Sequence, residues 1–280
     1  MTNESAQAFE LPGDGPVLLV GCGKMGGAML AGWLAQGLPA QRVVVQDPGP
    51  LPDIADMLSE AGIPVTEAYD GPPPSVALLA VKPQVMDTVY PTVAKTFDPT
   101  TLVISVAAGR TIAGFEADAP EGAAIIRSIP NTPSAIGQGM TVCFANDHTT
   151  DAQHALATRL LAAIGRVGWV DAEHLIDAAT AVSGSGPAYV FFLAETLAAA
   201  GVEVGLPERL ARELAAVTIA GAGDLMLESS DQPDQLRRNV TSPNGTTEAA
   251  LNVLMADDGL RPLMSRAVKA AEARSRDLAR

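Results

Sequence analysis

In the run Thr241-Ser242-Pro243-Asn244-Gly245-Thr246-Thr247, hydroxyl side chains stand on both sides of a Pro-Asn-Gly turn, directly ahead of Ala249, Ala250, Leu251, Val253 and Leu254 at helical spacing. A turn that opens into a helix leaves backbone N–H groups without intrahelical partners, and such a terminus favours a carboxylate or a phosphate. The hydroxyls add donors that orient a polar group or relay a proton. Ser and Thr also begin many ordinary helices, so the same residues read as a plain cap.

A second chemical element is Gly21-Cys22-Gly23-Lys24-Met25-Gly26, which follows an apolar strand pattern and opens a helix reading Ala28, Met29, Leu30, Trp33 and Leu34. In a dinucleotide-binding turn, Gly21 makes the sharp bend, Gly23 lets the backbone approach a pyrophosphate, and Gly26 lets helix and strand pack closely. The next strand ends at Asp47, where such a fold meets the adenosine ribose with an acidic side chain. Residues 43–81 contain neither Lys nor Arg, while Asp47, Asp53, Asp56 and Glu60 crowd the region. A 2′-phosphate there meets like charge, so NADH is expected over NADPH. Asp-Pro also initiates turns, and the turn reading of Asp47 stands beside the ribose reading. Ala80-Val81-Lys82-Pro83 and Val106-Ala107-Ala108 each end a strand. Pro83 suits a first helical position, and the small residues of the second segment let a flat nicotinamide approach the backbone.

The elements that must position these groups divide the chain. Apolar, β-branched runs at 17–21, 42–47, 65–66, 76–81, 102–106 and 123–128 alternate with helical patterns. That rhythm predicts an α/β fold, a Rossmann-type, doubly wound parallel sheet. Helical spacing takes over at 151–164, 178–200, 208–227, 247–255 and 261–279, which predicts an all-α C-terminal domain. The expected organisation is a flexible N-terminal extension over 1–15, a dinucleotide-binding domain over 16–168 and a helical substrate and dimerisation domain over 169–280.

Composition narrows the function. Among 280 residues, 32 are acidic and 18 are Lys or Arg, a net charge of −14, which argues against nucleic acid and for a small-molecule substrate. Two cysteines exclude a disulfide framework, and His148, His154 and His174 lack ligand spacing, so no metal is expected. Residues 1–15 carry no apolar core for a secretory signal, and a cytoplasmic enzyme is expected. The apolar stretch 188–206 is interrupted by Glu195 and Glu203 and reads as a buried helix, with no membrane span. A mean hydropathy of +0.20 points to an apolar face buried between subunits.

Further motifs join these: Arg127-Ser128-Ile129-Pro130-Asn131-Thr132-Pro133, Val182-Ser183-Gly184-Ser185-Gly186-Pro187-Ala188-Tyr189, and the segment from Val240 to Thr247. Together with the glycine turn, Val81-Lys82-Pro83 and Ser105-Val106-Ala107-Ala108-Gly109, they make the chain resemble the pyrroline-5-carboxylate reductases over residues 16–275. The resemblance implies reduction of L-1-pyrroline-5-carboxylate to L-proline with NAD(P)H, the last step of proline biosynthesis. It also implies a homodimer through interlocked C-terminal helices, often within a ring of dimers. By the same resemblance, the Gly245 and Thr246 N–H groups and the Ser242 hydroxyl hold the substrate carboxylate. The Thr247 hydroxyl meets the imine nitrogen as the catalytic group, and Asn239 and Glu173 join the substrate site. The chain departs from the family in carrying Asn244-Gly245 for Gly-Gly, and Asp47 where many relatives carry Ser or Thr. A β-hydroxyacid dehydrogenase is disfavoured, because its catalytic Lys and Asn would fall at Val190 and Ala194. A non-catalytic nucleotide-binding protein has no need of Ser242, Thr246 and Thr247 together.

Overall fold

A computed structural model describes Phe9 and residues 11–278, which form two compact units. The first ends at Gly184 and regains the chain from Glu272; the second is Ser185–Ala271. The contacts therefore divide the chain at Gly184/Ser185, later than the boundary after Gly168 expected from sequence.

Eight strands make one sheet in the first unit: β1 (Val17–Val20), β2 (Val43–Gln46), β3 (Val65–Thr66), β4 (Val76–Leu79), β5 (Leu102–Ser105), β6 (Ala124–Ile129), β7 (Gly139–Ala145) and β8 (Gly165–Trp169). The order is β3-β2-β1-β4-β5-β6-β7-β8, and every neighbouring pair is parallel except β6 and β7. Helices α1 (Lys24–Ala35), α2 (Pro52–Ala61), α3 (Pro83–Val93), α4 (Ile112–Glu116), α5 (Asp151–Leu161) and α6 (Leu175–Ala179) belong to the same unit.

β1, β4, β5 and β6 are buried along their whole length, as continuous apolar runs require when helices cover both faces. Alternate side chains feed two cores. Leu19, Leu78, Ile104 and Ile126 pack with Met29, Leu30, Trp33 and Leu160 on one face. Leu18, Leu79, Val103 and Ile125 pack with Met86, Tyr90 and Phe115 on the other. Each such side chain contributes ~1.5–3 kcal/mol of burial. The Trp33 indole N–H donates to the Leu160 carbonyl at 2.7 Å, fixing α1 to the end of α5.

Two strands extend the sheet beyond the expected α/β rhythm. β7 alternates buried and half-buried residues and pairs with β6 through Ser128↔Cys143; β8 completes the edge, where His154 stacks on Trp169 at 3.6 Å. The expected flexible extension also needs correction. Residues 1–8 and Glu10 lie outside the described residues, but Phe9 is buried beneath the Arg159 guanidinium. Arg42 donates to the carbonyls of Gly13 and Gly15, both at 2.8 Å, and the Ser75 hydroxyl bonds the Pro12 and Gly15 carbonyls. Residues 11–15 are thus anchored by carbonyls, for which sequence carries no side-chain signal.

The second unit contains α7 (Gly186–Glu203), α8 (Glu208–Glu228), α9 (Pro233–Asn239) and α10 (Thr246–Leu254), and α11 (Leu260–Leu278) starts in it. α7 and α8 approach closely enough to bury Ala198, Ala211 and Ala215. The rest of α7 corrects the expected buried helix: Phe191 and Phe192 are 66% and 63% exposed, with Val190, Leu193 and Leu197 also open. By length and composition alone, residues 175–203 could cross a membrane, with an 18-residue window of mean hydropathy 1.2. An outward apolar face of this size marks a surface that another body covers.

Candidate active site

The sheet order reverses between β1 and β4, and open α/β sheets bind ligands in the crevice beyond the carboxyl ends of strands at that point. The glycine turn stands there. Gly21 has φ +89°, donates its N–H to the Gln46 carbonyl at 2.8 Å, and leaves no room for a Cβ, which would lie 2.8 Å from Val81 Cγ1. Gly26 rests directly on the Gly21 carbonyl. Gly23 is the opposite case: it caps α1, it is exposed, and nothing lies within 4 Å of the place a Cβ would occupy. No side chain caps the first turn of α1, so its N–H groups and helix dipole face the open side of the turn, a cradle that suits a pyrophosphate.

Asp47 makes the turn that Asp-Pro suggests, and it also bonds the glycine loop. Its Oδ1 accepts the Gly49 N–H at 2.8 Å, the bond of a turn, and its Oδ2 accepts the Cys22 N–H at 2.7 Å, which ties β2 to the glycine loop. The carboxylate lies half-buried beside the loop, at the mouth of the crevice. The Cys22 thiol is pushed up to about 12, first by burial and then by the Asp47 charge, and burial pushes Cys143 to about 12 as well. At pH 8 their thiolate fraction is roughly one in ten thousand. The folded protein should therefore give no rapid reaction with a thiol-specific disulfide reagent at pH 8, and both thiols should react in guanidinium. A fast native reaction at Cys22 would contradict its buried placement.

Ala80 and Val81 follow β4, Lys82 caps α3, and Pro83 takes the first helical position. After β5, Val106 and Ala107 are buried, and the chain turns at the half-buried Ala108 and Gly109, just ahead of Arg110. Arg110 pairs with Asp87 at 2.8 Å and Asp118 at 3.1 Å and lies over Tyr90 and Phe115. A cleft of about 480 Å³ opens here, lined by Pro83, Gln84, Met86, Ala108, Gly109 and Arg110 among others. The expected cofactor residues, 21–26, Asp47, 80–83 and 106–108, thus gather at the carboxyl ends of β1, β2, β4 and β5.

In the second unit the hydroxyl run forms the turn ahead of α10. Asn244 has φ +57°, a left-handed conformation that Asn tolerates, and its N–H donates to Glu248 Oε2 at 2.7 Å. α10 has no side-chain cap, so the hydroxyls of Ser242, Thr246 and Thr247 do not serve as one. Gly245 differs from expectation: its N–H closes the turn on the Ser242 carbonyl at 3.0 Å. The helix-start donors therefore begin at Thr246 and Thr247. Asn239 ends α9, exposed, bonded to Gln235 at 2.7 Å and Asp231 at 3.1 Å.

Glu173 does not belong to that unit. Its Oε1 accepts the Ile112 N–H at 2.8 Å and pairs with Arg127 Nη1 at 3.1 Å. Arg127 is 3% exposed and stands 3.8 Å from Asp177, which accepts the Ser275 hydroxyl at 2.7 Å. Removing one partner of such a buried pair costs about 3–5 kcal/mol. Sequence reading passed over this network; its one signal is an arginine inside the apolar run Ala-Ile-Ile-Arg-Ser-Ile. Asn131 accepts the Met140 N–H at 2.9 Å and donates to Ser183 at 3.2 Å, joining the Pro-Asn-Thr-Pro loop to the π turn at Thr180–Gly184.

Comparison with known proteins gives this geometry a family. Residues 173–278 match pyrroline-5-carboxylate reductase dimerisation, and residues 16–109 match the coenzyme F420-dependent NADP oxidoreductases. The chain is 40% identical over 265 residues to pyrroline-5-carboxylate reductase of Pseudomonas aeruginosa, covering 94% of this chain and 96% of that one. The solved pyrroline-5-carboxylate reductase of Coxiella burnetii superposes with a TM-score of 0.88 at 34% identity, covering 96% of this chain and all of that one. The Plasmodium falciparum enzyme, solved with NADP bound, shares the fold at a TM-score of 0.78 and 24% identity, covering 95% and 99% of the two chains. A nicotinamide-dependent oxidoreductase of proline biosynthesis, the chain belongs to the pyrroline-5-carboxylate reductase family.

Proposed function

We propose that the start of α10 holds the imine substrate, and that Val106, Ala107 and Ala108 form the wall against which the nicotinamide lies. The single observation that carries this reading is the uncapped first turn of α10, flanked by hydroxyls that serve no capping role. The Thr246 and Thr247 N–H groups, with the Ser242 hydroxyl, take the substrate carboxylate, and Asn239 borders it. Bound NAD(P)H supplies the hydride. The 21–26 turn and the first N–H groups of α1 hold the pyrophosphate, while Ala80, Val81, Lys82 and Pro83 line the crevice beside it.

Hydride addition to C=N builds electron density on nitrogen, so the useful protein group is a hydrogen-bond donor at that atom. The Thr247 hydroxyl meets the need. An alcohol is too weak an acid to protonate the imine alone, so it orients the nitrogen and relays a proton from water. Alignment of the two reactants supplies up to ~7–11 kcal/mol of the barrier reduction. The purified protein should oxidise the reduced nicotinamide with pyrroline-5-carboxylate and not with 3-hydroxy or 2-oxo acids, and turnover of the latter would overturn the substrate assignment.

The preferred cofactor in this reading is NADH. Asp47 holds a charge beside the ribose position, and residues 43–81 offer no cation to a 2′-phosphate. kcat/KM should favour NADH by about tenfold or more. Asp47→Ser should narrow that ratio even where both absolute values fall, and an NADPH preference in the parent protein would contradict the assignment. The exposed faces of α7 and α8 pair with a second copy, as the match to the dimerisation region supports, and dimers assemble further into a ring in the cytoplasm.

A further inference from the structure

In the segment between β5 and α4, the stretch nearest the strand has no polar side chain to hold it, while Arg110 and Thr111 tie down its far end. Ala107 and Ala108 have no reach, and Gly109, at φ +85°, adds backbone freedom. Its position comes from its ends. At the first, the Val106 N–H donates to the Leu79 carbonyl at 3.1 Å, and the Ser128 hydroxyl holds the Ser105 carbonyl at 2.8 Å. At the second, Arg110 pairs with Asp87 and Asp118, the Thr111 hydroxyl caps α4, and the Ile112 N–H, the first of α4, is taken by Glu173, the one of these anchors that comes from a distant part of the chain.

Glu173 has little freedom of its own. The oxygen that accepts Ile112 also faces the Arg127 guanidinium, whose charge sits between Glu173 and Asp177. Swinging the glutamate outward would leave that buried cation with one carboxylate partner, an arrangement the interior penalises. The Ser275 hydroxyl donates to the same Asp177 oxygen that faces Arg127, so Asp177 is itself held. A fixed cation thus fixes a carboxylate, and the carboxylate fixes the end of a loop.

We infer that Glu173 is a positioning residue of the reductase: locked by Arg127, it braces the 106–111 loop as the wall against the nicotinamide and makes no contact with the imine acid. The inference rests on the reading that this loop faces the nicotinamide. It reassigns Glu173 from the substrate site to the cofactor wall, where its effect is on alignment.

ADP-ribose tests this directly, because it carries the adenosine and pyrophosphate of the cofactor without the nicotinamide. Glu173→Ala should raise the Kd for NADH about tenfold and lower kcat, leaving the Kd for ADP-ribose and the KM for pyrroline-5-carboxylate unchanged. Glu173→Gln, which keeps an acceptor for Ile112, should restore most of the NADH affinity. Ile112→Pro removes the donor and leaves the ion pair intact. Proline suits a first helical position, and Thr111 already has the extended conformation that precedes proline, at φ −85° and ψ 164°. This variant should reproduce the selective loss, and it decides the matter if Glu173→Ala does not fold.

A raised KM for the imine with NADH affinity intact would place Glu173 on the substrate and overturn the inference. Equal loss of NADH and ADP-ribose, or a lowered Tm with unchanged binding, would reduce the glutamate to general support and overturn it too. Ala108→Leu alters the wall itself. If that change leaves NADH affinity intact, the reading of the cleft fails along with the inference; if it weakens NADH while Glu173→Ala does not, the bracing role alone fails.

Discussion

Gly23→Val should fold and lose its cofactor, whereas Gly26→Ala, a smaller change three residues on, should damage the fold. The space around each glycine decides the difference. A Cβ at Gly23 meets nothing within 4 Å, and its φ of −74° and ψ of −161° suit an ordinary L-residue. Replacing a glycine cap with valine costs about 1 kcal/mol, a Tm change of a few degrees. The new methyl groups would fill the open side of the turn, where a pyrophosphate must come within hydrogen-bond reach of the backbone. Loss of two or three charge-assisted bonds there raises the Kd for either nicotinamide cofactor by at least about a hundredfold. At Gly26 the obstacle is the Gly21 carbonyl, backbone that cannot rotate away, so the overlap must separate α1 from the turn. That costs ~1–3 kcal/mol or more, against which the better helix propensity of alanine returns under ~1 kcal/mol. Thermal melts and fluorescence titration with NADH separate the two effects. Gly23→Val with wild-type NADH affinity would refute the pyrophosphate assignment, and Gly26→Ala with an unchanged Tm would refute the close approach.

The parallel core was legible in the sequence because β1, β4, β5 and β6 are buried on both faces and so appear as unbroken apolar runs. β7 and β8 were not. Gly-Met-Thr-Val-Cys-Phe-Ala alternates half-buried positions, and Gly-Arg-Val-Gly-Trp is held by its neighbour's register and by the stack of Trp169 on His154. The fate of α7 was legible in one respect only. Periodicity and hydropathy say that a face will be covered, and they do not say by which chain. Asp47 offered two readings from one dipeptide; one oxygen makes the turn, and the other bonds the Cys22 N–H of the glycine loop, a contact neither reading named. Glu173 illustrates the opposite limit. Its partners, Ile112 and Arg127, lie 61 and 46 residues away in sequence, so no local pattern joins them. Motif resemblance drew attention to the residue, while only geometry shows which atoms it serves.

Thr247→Ala should lower kcat about a hundredfold while leaving NADH binding and stability nearly unchanged. Thr247 is the second residue of α10, half-exposed, and its hydroxyl caps nothing, so its loss removes no fold-supporting bond. Alanine is the better helix former, and a surface change of this kind falls within ~0.5 kcal/mol. The backbone N–H groups at the helix start survive the substitution. An anchor for the substrate carboxylate therefore remains, and the KM for pyrroline-5-carboxylate should move little. What disappears is the donor at the nitrogen, where charge grows only as the hydride arrives, so the loss belongs in kcat. Thr247→Ser should keep most of the activity, and Thr247→Val, which retains the shape without the donor, should fall with alanine. Ser242→Ala should behave differently, raising KM more than it lowers kcat, because a carboxylate carries its charge before and during the reaction alike. If Thr247→Ala instead weakened NADH binding as much as it lowered turnover, the hydroxyl would be serving the cofactor or the fold, and the proton relay would have to be sought elsewhere.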